Sequence, residues 1–276
     1  MKNRALKILT ILFLVVIAPA GSVRIAQAAS TASVLGGGVA INEILVNPGG
    51  SSAEFDTDQN GTVEDRDEFF ELYNLGSATI DISGWELWDS GSLKWFTFPG
   101  SADSGTTLLP AGAYAVVIVG VQIGGSLPTM TNPDSLAFDA GKGSAILGNG
   151  GDNVVLYDPG DDEYVQLTYN GDPTDDPTST YTGFSGTAVK VGQVEDWGSH
   201  EGGKSLTRYP SGDSNVVVHD SIPGAGNASP SAISISKFYA ASPIYRHPAV
   251  VPLLLLIIAM IFFALARYLI RAGERY

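Results

Sequence analysis

No cysteine occurs among the 276 residues. That absence excludes disulfide frameworks, cysteine-ligated zinc and thiol nucleophiles together. It leaves the redox compartment open, because an exported protein need not use disulfides. Histidine is scarce: His200, His219 and His247 are the three copies, and none stands at metal-ligand spacing from another. Positive charge is also scarce over most of the chain. Between Ala29 and Tyr245 only Arg66, Lys94, Lys142, Lys190, Lys204, Arg208 and Lys237 stand against 28 acidic residues, a net charge near −21. A phosphate backbone would be repelled by such a span, so nucleic-acid binding is not expected. The same acidity suits divalent cations, or a surface kept soluble by self-repulsion. No G-x-S-x-G elbow follows a strand, and no two carboxylates stand out as an acid–base pair. No catalytic residue is assigned, and the chain reads as a non-enzyme.

Long apolar runs are confined to the two ends. Lys2, Arg4 and Lys7 precede an apolar run from Ile8 to Ala18, the layout of a signal peptide over residues 1–28. Ala26-Gln27-Ala28 is a small-x-small cleavage site, and Ala18-Pro19-Ala20 is a second one. Near the other end, Ala249–Ala266 is 18 residues without a charge. At 1.5 Å per residue it spans about 27 Å, enough for one transmembrane helix. Arg267, Arg271 and Arg275 follow it, against Arg246 alone before it. By the positive-inside rule, the tail at 267–276 is cytoplasmic and the body of the chain is outside the cell membrane. Residues 221–248 are rich in Gly, Ala and Ser and read as a stalk. Asn60-Gly-Thr62 and Asn227-Ala-Ser229 are formal glycosylation sequons.

Between these ends no helical period runs for three turns. Short β-branched and aromatic segments are separated by Gly, Pro, Asn and Asp. They predict strands at 39–46, 68–74, 79–82, 85–89, 94–98, 113–119, 153–158, 163–169 and 205–209. This is the pattern of an all-β sandwich or barrel. A type II′ turn at Gly91-Ser92 would pair Trp88 with Trp95 and Leu87 with Phe96. Alternation then places Trp85, Leu87, Phe96 and Phe98 inward. Trp88 and Trp95 fall on the opposite face, either as a cross-strand stabilising pair or as a ligand platform on which sugars could stack. A second hairpin turns at Pro159-Gly160-Asp161-Asp162.

The order of these segments resembles the lamin-tail domain. The matching pieces are Ile41-Asn-Glu-Ile-Leu45, Asp67-Glu-Phe-Phe-Glu-Leu-Tyr-Asn74, Ile82-Ser-Gly-Trp-Glu-Leu87, Phe98-Pro99, Leu109-Pro-Ala-Gly-Ala-Tyr-Ala-Val-Val117, Asp152-Asn-Val-Val-Leu-Tyr-Asp158 and Ser205-Leu-Thr-Arg208. The resemblance covers residues 39–220, with irregular inserts near 121–143 and 170–203. It implies an immunoglobulin-like β-sandwich, and in prokaryotes a module of exported and surface proteins that binds or scaffolds. It names no ligand.

One insert, at 55–68, carries chemistry. Asp56-Thr-Asp58-Gln-Asn60-Gly61-Thr62-Val63-Glu64-Asp65-Arg66-Asp67 matches the calcium-loop pattern D-x-[DN]-x-[DN]-G. Asp56, Asp58, Asn60 and Asp67 offer side-chain oxygens at positions 1, 3, 5 and 12. Thr62 offers its carbonyl, and Glu64 acts directly or through water. Asp at position 12 and Val63 at position 8 resemble dockerin repeats; a standard EF-hand has Glu at 12, for which Glu68 is a neighbouring substitute. Ca²⁺ is therefore the expected cofactor, with an acidic surface loop as the plainer alternative. Gly198-Ser-His-Glu-Gly-Gly203-Lys204-Ser205 satisfies the phosphate-loop pattern but lacks the strand before and the helix after that the mechanism requires, so no nucleotide is expected. The sequence thus predicts a single-pass surface protein with a non-enzymatic binding or structural domain. Its partner is an unidentified surface protein or polysaccharide. A carbohydrate- or envelope-polymer-binding protein using the tryptophans is the runner-up, and a metal-dependent hydrolase the third reading.

Overall fold

The computed structural model describes residues 32–50, 53–100 and 107–222. The expected signal peptide, the stalk from residue 223, the apolar run 249–266 and the tail lie outside these residues. Among the described residues no helix is long and apolar enough to cross a membrane.

The chain is strand after strand, as the Gly- and Asp-punctuated pattern predicts. In order these are β1 (Val39–Leu45), β2 (Phe69–Asn74), β3 (Ile80–Asp81), β4 (Glu86–Asp89), β5 (Leu93–Thr97), β6 (Leu108–Leu109) and β7 (Tyr114–Ile118). Then come β8 (Leu136–Asp139), β9 (Asp152–Asp158), β10 (Glu163–Tyr169), β11 (Val189–Lys190), β12 (Glu195–Asp196), β13 (Leu206–Arg208) and β14 (Val216–Val218). One sheet has the order β14-β13-β1-β2-β7-β8, and the other β11-β10-β9-β4-β5 with β12 also on β10. β3 and β6 form a small separate pair.

The main core lies between the two sheets. Ile41, Ile44, Phe70, Leu72 and Val117 from the first meet Leu87, Trp95, Val154, Leu156, Val165 and Leu167 from the second. Each sheet is also covered on its outer face, which is why β7, β9 and β10 are buried along nearly every residue, polar ones included, instead of alternating between core and solvent. Outside the first sheet, Leu45, Phe69, Val116 and Ile118 lie under Phe55, Val121 and Met130. Outside the second, Trp88, Val155, Tyr157 and Tyr164 lie under Tyr181 and Phe184. Tyr181 directly follows a four-residue helix, α1 (Pro177–Thr180), whose first turn is capped by the Asp176 carboxylate accepting from Thr178 N.

Both segments expected to be irregular inserts contribute to the sheets. β8 pairs parallel with β7 inside the first, and β11 and β12 pair parallel with β10 inside the second. β13 closes on β1 and β14 on β13, so the chain beyond residue 171 completes the sandwich.

The expected register of the tryptophan hairpin is corrected. Leu87 does pair with Phe96, but Trp88 pairs with Lys94 and Asp89 with Leu93. The turn is one residue longer than a two-residue II′ turn, and the positive φ falls on Leu93 (58°), not on Gly91. Asp89 Oδ1 stabilises this turn by accepting from Gly91 N and Ser92 N. A bulge at Trp95 absorbs the extra residue before Leu87 and Phe96 meet. The bulge turns Trp95 into the main core, where it meets Phe70 edge-on at 6.4 Å, while Trp88 stays on the outer face. Each is 2% exposed, so the two indoles share no face and form no platform. The turn at Pro159–Asp162 forms as expected, with Asp158 opposite Glu163.

Candidate calcium loop

The segment between β1 and β2 folds back so that its carboxylates converge. One oxygen from each of Asp56, Asp58 and Asp67 lies within 4.8 Å of the other two. Asp58 and Asp67 are 0% exposed. The loop's own amides shape it. Asp56 Oδ2 accepts from Gly61 N at 2.7 Å, and Asp58 Oδ1 from Asn60 N at 3.0 Å. Asn60 Oδ1 accepts from Thr62 N at 2.6 Å. Gly61 takes φ +90°, where a side chain would be strained, so the glycine of the motif is required by the turn.

Asp67 closes the loop from its far end. Its Oδ1 accepts from Thr57 N at 3.0 Å, its Oδ2 from Glu64 N at 2.9 Å, and its main-chain carbonyl accepts from Thr57 Oγ1. A 3₁₀ turn at Asp65–Asp67, not a long helix, then leads into β2. Burial raises the Asp67 carboxyl above its ordinary range against the pull of these amides, and the charge of Asp58 adds to the rise. Among the described residues no Lys, Arg or His forms a salt bridge with Asp56, Asp58 or Asp67.

Not every residue of the motif turns inward. Glu64 is 44% exposed along its side chain and pairs with Arg66 at 2.6 Å. Thr62 is exposed. Glu68 points away from the loop. Its Oε2 accepts from Ile146 N at 2.8 Å and Leu147 N at 2.9 Å, so it is not a substitute ligand at position 12. The phosphate-loop lookalike runs directly into β13, with Lys204 held by Glu201 and Asp220.

A second loop, after β7, locks the first, and the motif gives no hint of it. Gln122 N donates to Asp58 Oδ2 at 2.6 Å, Gln122 Oε1 accepts from Asn60 Nδ2 at 2.6 Å, and Ser126 N donates to the Asp58 carbonyl at 2.9 Å. Gly125 lies so close that a Cβ there would sit 2.3 Å from Asp58 Oδ2. The readable signal was the Gly124-Gly125 pair in an uncharged stretch of an otherwise acidic chain.

With the sandwich and its loops placed, residues 35–171 match the family model of the lamin tail domain. The chain carries a lamin tail domain. No curated protein matches the chain. The match agrees with the immunoglobulin-like, strand-built architecture, and it points to a binding or structural module. In the lamin tail domain described here, β1 through β10 lie inside the matched span, and β11 to β14 lie beyond it.

Proposed function

We propose that this lamin tail domain is a calcium-stabilised, non-enzymatic binding or structural module, held outside the cell by the C-terminal apolar run. Calcium would sit among Asp56, Asp58 and Asp67, with Asn60 and the Thr62 carbonyl completing an all-oxygen set of the kind that hard cations take. The observation that carries this reading is the convergence of the three carboxylates, two of them fully buried, with no cationic side chain paired to them among the described residues. Buried like charges are costly unless a cation compensates them or a proton neutralises them. Export and anchoring rest on the basic-apolar start, the uncharged run 249–266 and the three arginines after it. The partner outside the cell is a surface protein or an envelope polymer. A sugar platform at Trp88 and Trp95 is not carried forward, since both rings are buried in separate clusters.

Two measurements test the proposal. Calorimetric titration of the purified full chain should show one calcium site that disappears in Asp58→Ala, with a dissociation constant of roughly 10⁻⁴–10⁻³ M or somewhat tighter. Equal heats in both proteins would mean binding by net charge alone. Protease added to intact cells should remove the sandwich and leave a protected C-terminal fragment. Recovery of the whole chain in the soluble cytosolic fraction would refute the anchoring.

A further inference from the structure

We propose that the loop after β7, with Ile123 at its apex, is a bilayer-docking tip that rests on the membrane holding the chain's own C-terminal anchor. The inference rests on the anchoring reading above and adds an orientation and a contact to it.

The first observation is exposure. Ile123 is 103% exposed, while Val121 and Met130 of the same loop pack onto Leu45, Phe69, Val116 and Ile118. The loop is therefore stapled down on both sides of an isoleucine that touches nothing. It is also held from within: Gln122 is bonded to Asp58 and Asn60, Gly125 N to the Gln122 carbonyl, and Ser126 N to the Asp58 carbonyl. These contacts fix the loop with the Ile123 side chain outward.

The second observation is charge. In a span near −21, residues 120–133 carry no charged side chain. Leu127, 39% exposed, adds apolar surface to the same loop. The carboxylates of the neighbouring calcium loop would disfavour an anionic surface, so a zwitterionic phospholipid bilayer is the fitting occupant.

The third observation is where the chain leaves the fold. Val218 is level with Leu206, Leu206 with Ile44, Ile44 with Phe70 and Phe70 with Val117 across the first sheet. β14 runs in the same direction as β7 and ends at the same end of the first sheet as the start of the Ile123 loop, four strand spacings or about 19 Å across. The chain therefore exits toward residue 223 at the end of the sandwich that carries the tip. Residues 223–248 separate this exit from the apolar run. A covalent tether of 26 residues raises the effective concentration of the tip at the bilayer. One weak apolar contact beside a covalent tether then suffices, as in membrane proteins that combine two signals.

The absence of cysteine makes a direct test simple. The full chain would carry a single nitrobenzoxadiazole label at Ser126→Cys, beside Ile123, and be reconstituted in phosphatidylcholine vesicles in calcium-containing buffer. A control would carry the label at Asp161→Cys, in the turn at the far end of β9. The expected result is a blue-shifted emission at position 126, quenched by spin-labelled phosphatidylcholine severalfold more than at 161, and abolished by Ile123→Asp. Protein that floats with the vesicles while both labels behave alike overturns the docking and leaves the anchoring intact. Protein that does not float overturns both. A label that shifts with protein concentration in detergent and not further with lipid assigns the tip to a second copy of the chain and overturns the proposal.

Discussion

Asp89 shows how much one side chain depends on features invisible in the sequence. It sits at the end of β4, 0% exposed, with Oδ1 accepting from two turn amides and no partner for Oδ2 among the described residues. Burial, then the nearby Asp152 charge, push its carboxyl up to about 6 against those hydrogen bonds. The folded protein therefore keeps a proton that the unfolded chain loses above its ordinary carboxylate range. Stability from this group falls as pH rises from about 4 to 6 and is flat above, a loss of order 2–3 kcal/mol. Asp89→Asn should lessen that fall in urea unfolding measured across this window, and an identical pH profile in wild type and variant would contradict the assignment. The tryptophans make a second residue-scale test. Trp85, Trp88 and Trp95 are each 2–3% exposed. Truncation of any of them to Ala should cost about 3–5 kcal/mol in urea unfolding. A cost below about 1 kcal/mol for Trp88→Ala would show that Tyr181 and Phe184 do not cover it. The inward placing of Trp85, Leu87 and Phe98 was legible from alternation. That of Trp95 was not, because alternation fails at a bulge, and the bulge follows from a turn shaped by the Asp89 carboxylate.

At the scale of elements, strands with their own apolar run were readable, and strands that exist only through their neighbours were not. β1, β2, β7, β9 and β10 stand close to where β-branched and aromatic residues predict them. β8, β11 and β12 are two to four residues long and pair parallel with β7 or β10, with no local period to announce them. The calcium motif was legible because its spacing is local. Gln122, 64 residues from Asp58, was not. The elements past residue 171 depend on Arg208, which is 2% exposed. It donates to the carbonyls of Ile41 and Asp213, pairs with Glu195 and lies 5.1 Å from the Trp197 ring centroid. Arg208→Ala leaves Glu195 without its cation and should destabilise the fold by about 3–5 kcal/mol, measured by urea unfolding. A chain cut after residue 171 exposes the edge of β1 and should aggregate or fail to show a cooperative transition. A soluble, cooperatively unfolding fragment would show that the matched segment suffices alone.

At the scale of the whole molecule, a two-sheet sandwich carries an acidic loop whose three carboxylates face one another. Surface charges repel one another less in salt, so part of any salt response comes from the net charge alone. A specific cation would act differently, because it would bind the folded loop and not the dispersed carboxylates of the unfolded chain. At about 100-fold excess over its dissociation constant, one bound ion adds about 2.7 kcal/mol. The most direct measurement is thermal unfolding of the full chain at fixed ionic strength, in excess calcium and in chelator, for wild type and Asp58→Ala. A midpoint for the wild type higher by roughly 5–10 °C in calcium is expected, with no calcium-dependent shift in the variant. Equal midpoints in calcium and chelator for the wild type, or an equal rise in Asp58→Ala, would contradict it.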